Sequence, residues 1–211
     1  MSELLPLFPL QIVVFPGEQL NLHIFEPRYQ QLIKECEQEG ITFGIPAYIN
    51  GKMRDIGTQI RLEIVEKRYP SGEMDIKTRG IGLFGIKEFF NPLPQKLYSA
   101  AQVELIEFQT NESYTKNEQI LRYIRELFGM LEIDKELPAD ASTFKTYDWA
   151  HQVGFSLEQE YDLLCLVDAR ERQDFMLKHL AQLLPAVKNM EEIRQKAQMN
   201  GHFRNILPPE L

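Results

Sequence analysis

One run of residues has the spacing of a phosphate cradle. Gly80-Ile81-Gly82-Leu83-Phe84-Gly85 matches GxGxxG, the pattern that lets backbone amides approach a pyrophosphate. That chemistry needs the glycines to open a helix whose N-terminus faces the anion. Here a hairpin pattern precedes the run, and Ile86-Lys87-Glu88-Phe89 after it alternates like a strand. The glycines are therefore expected to bend a strand at a barrel corner, and no cofactor is expected. The other phosphate loop, GxxxxGK[ST], has no match in the chain.

Other reactive side chains are equally dispersed. The four histidines, His23, His151, His179 and His202, lie far apart, and no HExxH or CxxC spacing predicts a metal site. His23 and Glu26 could share a ligand only if strand and helix folded back together, so a hydrogen-bonded structural histidine is expected. Cys36 and Cys165 sit in apolar helical stripes, where burial raises a thiol's pKa and lowers its reactivity. Ser156 fits a helix cap better than a nucleophile. Glu35, Glu37 and Glu39 read as a solvated helix end. No catalytic residue and no metal ligand is predicted.

The elements that would position a site change character near residue 108. Before it, apolar residues recur every second position; after it, every third or fourth. Pro6 and Pro9 keep Leu5–Leu10 extended. Ile12–Phe15 reads as a short buried strand closed by Pro16-Gly17. Leu20, Leu22 and Ile24 alternate. Pro27 opens a helix carrying Tyr29, Leu32, Ile33 and Cys36 on one face, with Gly40 placed as its C-terminal cap. Strands are expected around 41–49 and 60–64, at 74–89 after the Pro70-Ser71-Gly72 turn, and at 97–105. Six or seven short strands with one helix suit a small barrel. In the second half, Thr115–Glu118 and Ser156–Gln159 fit capping boxes. A helix is predicted over 144–153, Asp168 as the cap of the next, and a kink or break at Pro185. This is α+β, with a barrel over 1–110 and a helical bundle over 111–211.

Composition narrows the class. The chain of 211 residues has formal net charge −8, and both halves are acidic, which argues against non-specific polyanion binding. With 2 cysteines it is no disulfide scaffold. Its start, Met-Ser-Glu-Leu-Leu-Pro, has no signal-peptide pattern, and no apolar run approaches the ~20 residues of a membrane span. A cytoplasmic protein is expected.

The run Leu5-Pro6-Leu7-Phe8-Pro9-Leu10, Val13-Val14-Phe15-Pro16-Gly17 and Leu20-Asn21-Leu22-His23-Ile24-Phe25-Glu26-Pro27-Arg28-Tyr29 resembles the N-terminal substrate-binding domain of Lon proteases. It is most similar to the stand-alone Lon-domain proteins of bacteria. Phe43-Gly44-Ile45, Ile56-Gly57-Thr58, Thr78–Ile86 and Tyr98–Glu107 agree with the family's later strands, and 156–199 is similar to its helical part. The resemblance implies a PUA-like β-barrel followed by a helical bundle. It also implies architectural roles for Pro16-Gly17, Pro27, Phe25 and Tyr29, the last two packing barrel against helix. The family unit precedes an ATPase and a Ser-Lys protease; neither is expected in this chain, so a peptidase label would describe descent.

The resulting expectation is a non-enzymatic module that binds unfolded or extended polypeptide, or a protein partner. It would act through a strand edge or an apolar surface. Tyr69, beside the 70–72 turn, and Phe89 and Phe90, next to Asn91-Pro92, are the candidate anchors, because adjacent strand residues cannot both enter one core. An RNA-binding reading would use Arg54, Arg61, Lys67, Arg68, Lys77 and Arg79. Asp55, Glu63, Glu66 and Asp75 alternate with them and cancel much of their field. An ATP-independent hydrolase lacks a visible activated nucleophile.

Overall fold

The computed structural model describes residues 2–203, with side chains over 3–197. The period-2 segments form six strands: β1 (Ser2–Leu7), β2 (Gln19–Ile24), β3 (Phe43–Ile49), β4 (Lys52–Arg68), β5 (Met74–Phe90) and β6 (Ser99–Ile106). Five helices accompany them: α1 (Pro27–Glu39), α2 (Tyr114–Met130), α3 (Thr146–Trp149), α4 (Leu157–Cys165) and α5 (Ala169–Phe203). The fold is α+β with a helical C-terminal part. The chain divides into two compact units. One takes the chain up to Asn111 together with Lys145–Arg172; the other takes Glu112–Phe144 and the chain from Gln173 onward.

In the first unit the strands lie in the order β2-β5-β4-β3-β1-β6, and β6 returns to pair with β5. Five strands thus close a ring, with β2 added outside it. Among the pairings of these six strands the β1–β3 contact is parallel and the rest are antiparallel. The length of β5 makes closure work: residues 74–79 face β2, and residues 83–90 face β6 along the same edge.

The change of partner falls at the glycine run. Gly80-Ile81-Gly82-Leu83-Phe84-Gly85 lies wholly inside β5 and opens no helix. Gln59 pairs with Gly82 and Ile60 with Gly80, so Ile81 is an extra residue in a bulge. Gly17 N donates to Gly80 O at 2.8 Å, and Gly80 N donates to Glu18 O at 2.9 Å. A Cβ on Gly80 would press on the Phe15 carbonyl oxygen far inside 3.0 Å. Glycine is there so that another stretch of backbone can cross.

That crossing stretch contains Ile12–Phe15, which forms no strand. Val13, Val14 and Phe15 are buried, but their polar groups find side chains instead of a ladder. Val14 O accepts from Thr58 Oγ1, and Phe15 N donates to Glu18 Oε2 at 2.8 Å. Burial made the segment look like strand; its route over Gly80 denies it a neighbour.

The core follows the periodicity. Tyr29, Leu32, Ile33 and Cys36 of α1 pack with Phe43, Ile45, Ile60, Met74 and Ile76. Pro27 sits in the first turn of α1, and Gly40 ends it at φ 70 in the left-handed region. Phe25 departs from its implied packing role: it is 60% exposed, while Tyr29 is buried.

Local caps divide by context. Ser156 and Gln159 form the expected reciprocal box on α4, and Asp168 Oδ1 accepts from Arg170 N (2.7 Å) and Glu171 N (3.2 Å) at the start of α5. The expected box at Thr115–Glu118 is not used. Helix α2 starts two residues earlier, behind Ser113, whose side chain makes no cap bond. The Gln173 amide holds it instead, accepting from Ser113 N at 2.9 Å and donating to Ser113 O at 2.8 Å. Gln173 also donates to Asn117 Oδ1 at 2.6 Å, and both side chains are buried. Behind this network the second unit buries Ile120, Leu121, Ile124, Leu127 and Phe128 of α2 with Met176, Leu180 and Leu184 of α5.

Two helical expectations are corrected. The predicted helix over 144–153 is one turn, α3, followed by a 3-10 turn at Ala150–Gln152. Phe144 and Lys145 have extended backbone and cannot belong to it. A break at Pro185 does not occur: helix α5 runs on through it. Loss of one ladder bond does not end a helix already carried by apolar packing on both preceding turns. No helix among the described residues is long and apolar enough to cross a membrane.

Candidate functional site

A cleft of about 480 Å³ opens in the first unit beside the first turn of α1 and the last residues of β5. Its apolar wall is Pro9, Tyr29, Tyr48, Met53 and Phe89. Its polar groups are Gln11, Arg28, Asn91 and Ser99.

Each apolar member is there for a local reason. Strand β3 is buried throughout except at Tyr48. Strand alternation puts Tyr48 on the face of β3 opposite Ile45, Ala47 and Ile49, and the β3–β4 register shifts between Pro46 and Tyr48. Tyr48 pairs across the ladder with Met53, so the two share a face. Tyr48 N donates to Leu10 O at 2.7 Å, which holds the Pro9 loop at the rim. Phe89 stands opposite Ala101, a residue too small to cover it. Tyr48 is 37% and Phe89 42% exposed. Tyr29 is fixed from below by stacking on Phe8 at 3.7 Å, and its burial pushes the phenol pKa up. The Arg28 guanidinium lies 4.6 Å from the Tyr29 ring centre and is held by Glu26 at 2.7 Å.

Half-exposed aromatics, a flexible methionine and a few polar groups in a concave surface make a grip for apolar side chains. Nothing in the cleft is an activated nucleophile. Burial pushes the Cys36 thiol to about 12 and raises Cys165 as well. Ser156 is engaged in its cap. His151 Nδ1 bonds Glu160 at 2.7 Å and Nε2 bonds Glu18 at 3.2 Å. These carboxylates raise its pKa to about 10, so it is a bound cation at neutral pH and not a base. Among the described residues no group of three or more His, Cys, Asp or Glu could hold a metal ion. His23 is paired with Asp75 at 2.6 Å, and the side chain of His202 lies outside the described residues.

The three anchors expected from sequence are not brought together. Phe89 lines the cleft. Phe90, paired with Ala100, is partly buried and points to the other face of β5. Tyr69 stands at the opposite end of β5, where its hydroxyl donates to Asp75 at 2.7 Å and Lys67 lies 4.4 Å from its ring. Tyr48 and Met53 were not singled out beforehand. The signal available for them was Pro46 inside a strand, which marks an irregular ladder.

Three of the six basic residues of the RNA-binding reading are paired with carboxylates. Arg68 pairs with Glu37 and Lys77 with Glu66, each at 2.5 Å, and Arg79 pairs with Glu63. Of the carboxylates at the end of α1, Glu37 and Glu39 are exposed as expected, whereas Glu35 is 14% exposed and bonded to Lys96 at 2.8 Å.

The model of the substrate-binding domain of ATP-dependent protease La (LON) matches residues 4–182. No curated protein matches significantly. Among solved structures, the chain is similar to the Lon N-terminal domain protein from Xanthomonas campestris, with 24% identity and a TM-score of 0.66 over 83% of this chain and 98% of that one. It is also similar to the N-terminal domain of the Mycobacterium avium complex Lon protease, with 14% identity and a TM-score of 0.60 over 85% of this chain and 98% of that one. At these identities the two structures bear on the fold alone.

Proposed function

The chain belongs to the LON substrate-binding domain family, and from that premise we propose that it is a non-catalytic module that grips apolar side chains of unfolded polypeptide segments in the Tyr48–Phe89 cleft. The matched unit is the substrate-binding part of the protease and not its ATPase or protease domain. The observation that carries the reading is the pairing of exposed Tyr48 and Phe89 with Met53 around one concavity. An aromatic that stays exposed beside a cleft retains its apolar area for a partner. The absence of an ionisable thiol or a free imidazole base in that cleft fits binding without chemistry. Two free thiols, Cys36 and Cys165, fit a reducing compartment such as the cytoplasm.

The experiment offers immobilised protein one polypeptide in folded and in denatured form. The denatured form is expected to bind preferentially. Tyr48→Ser and Phe89→Ser should each weaken it by roughly fivefold or more, the loss of about 1 kcal/mol that an interface anchor carries. Equal retention of both forms by folded wild type, or full binding by both variants, would refute the reading. Tyr69→Ser, at the other end of β5, should leave binding unchanged.

A further inference from the structure

The geometry points to a second way of holding a chain: the free edge of β1 takes an extended segment bearing Lys or Arg as an added strand. This rests on the reading above that the ligand is polypeptide, and it specifies a different surface and a charge class.

Strand β1 pairs with β6 along its whole length. On its other side it meets β3 at a single position, Leu7 with Gly44. Contact continues beyond that point through Phe8 N to Gly44 O at 2.8 Å and Tyr48 N to Leu10 O at 2.7 Å. It does not continue back toward the N-terminus, for two reasons. Pro6 has no N–H with which to extend a parallel ladder toward Thr42. Gly40 is in the left-handed cap of α1, and residues 40–42 are not strand. The amide of Phe8 faces β3, so the two-residue alternation places the N–H and C=O of Leu4 on that same side.

The edge opens onto a groove of about 460 Å³. Residues 3–6 form one wall and 40–42 the other, with Leu4 50% exposed at the rim. An uncovered edge of this kind is a template for pairing with another chain.

Charge selects the occupant. The groove carries Glu3, Glu35 and Glu39 against one cation, Lys96. Lys96 is spent on Glu35 at 2.8 Å, which also accepts from Gln31 at 2.9 Å and from Tyr98. Glu3 has the Gln59 amide at 3.4 Å. No cation pairs with Glu3 or Glu39 among the described residues. An acidic segment laid on this edge would meet two uncompensated carboxylates, whereas a basic one would pair with them.

Three labelled peptides test this by fluorescence anisotropy: one alternating Lys and Val, its Glu and Val counterpart, and the Lys peptide N-methylated at alternate backbone amides. The Lys peptide should bind roughly tenfold tighter than the Glu peptide, and N-methylation should cost it roughly tenfold, because it removes the ladder bonds and keeps every side chain. The doubly substituted Glu3→Gln, Glu39→Gln protein should bind the Lys peptide roughly fivefold more weakly and with a flatter salt dependence. Thermal melting confirms that this variant is folded; should it melt early, charge preference and N-methylation on wild type still decide. Equal binding of the N-methylated peptide, or no preference between charges, would overturn the inference. Loss of Lys-peptide binding in Tyr48→Ser would move that peptide to the cleft, overturning this inference while supporting the proposed function. Self-association of the protein that displaces the peptide would assign the edge to a second copy and also overturn it. If denatured polypeptide is ignored while the Lys peptide binds as described, the cleft reading fails and the edge stands.

Discussion

Replacing the three glycines of the GxGxxG run one at a time separates a phosphate cradle from a strand crossing. At Gly80 a methyl group would collide with the Phe15 carbonyl, which must then retreat. Phe15 is fully buried, and the residues just after it are tied to Gly80 by bonds of 2.8 and 2.9 Å. Losing both bonds costs about 2 kcal/mol, and the displaced packing costs about 1–3 kcal/mol more. Relief of glycine's chain entropy returns about 0.5–1 kcal/mol. Gly80→Ala is thus expected to destabilise the protein by roughly 2–4 kcal/mol, or about 5–15 °C in Tm. At Gly82 the new methyl meets only the flexible end of Gln59 at 3.4 Å, and at Gly85 only Ile106 Cδ1 at 3.6 Å. There the entropy term remains, so Gly82→Ala and Gly85→Ala should be neutral or stabilising by about 0.5 kcal/mol. Urea unfolding followed by circular dichroism, with unchanged m-value, reads all three. Comparable losses at the three positions, or a neutral Gly80→Ala, would refute the crossing argument.

Three further outcomes follow from single side chains. His151 has its pKa raised from 6.5 to about 10 by Glu160 and Glu18; the stabilisation is complete below about pH 6.5 and fades as pH climbs toward 10. The wild-type Tm should fall across that range more than that of His151→Gln, and parallel curves would contradict it. Arg172 is 1% exposed and donates to Leu166 O at 2.9 Å, Val167 O at 3.1 Å and Gln109 O. Arg172→Met strands the Leu166 and Gln109 carbonyls, while Val167 O keeps the Gln109 N–H at 2.8 Å, and should cost roughly 2–4 kcal/mol, with Arg172→Lys recovering only part because an ammonium lacks the fork; an unchanged denaturation midpoint would dismiss this. Cys36, at about 12, should resist iodoacetamide at pH 8 until denaturant is added, and rapid labelling of native protein would show the thiol is not buried as described.

What could be read without coordinates was chemistry that acts over a few residues. Pro27 and Gly40 bounded α1 because ring closure and a positive φ are local constraints. Ser156 and Gln159 bounded α4 because a capping box closes within one turn. Alternation of apolar residues marked the later strands of the sheet because one face of each meets the core, while β1 was legible only as a stretch that Pro6 and Pro9 keep extended. The family was legible as well, through the resemblance that the run of residues 5–29 carries, and the family model matches residues 4–182.

Tertiary structure decided everything that depends on which distant segments meet. The sequence near Thr115 satisfied a capping rule, yet Gln173, far along the chain, supplied the bonds and shifted the start of α2. Ile12–Phe15 had the composition of a strand and became a crossing, because Gly80 let it pass where no ladder partner was free. Tyr69 and Phe89 had equal standing as exposed aromatics, and the length of β5 put them at opposite ends. The cleft and the β1 edge both depend on the β3 register: the ladder sets Tyr48 opposite Met53, and a parallel contact stops at Leu7. Register is set by loop closure and by competition among all strands at once. A residue's own type and near neighbours therefore tell whether it is buried, but not what it is buried against.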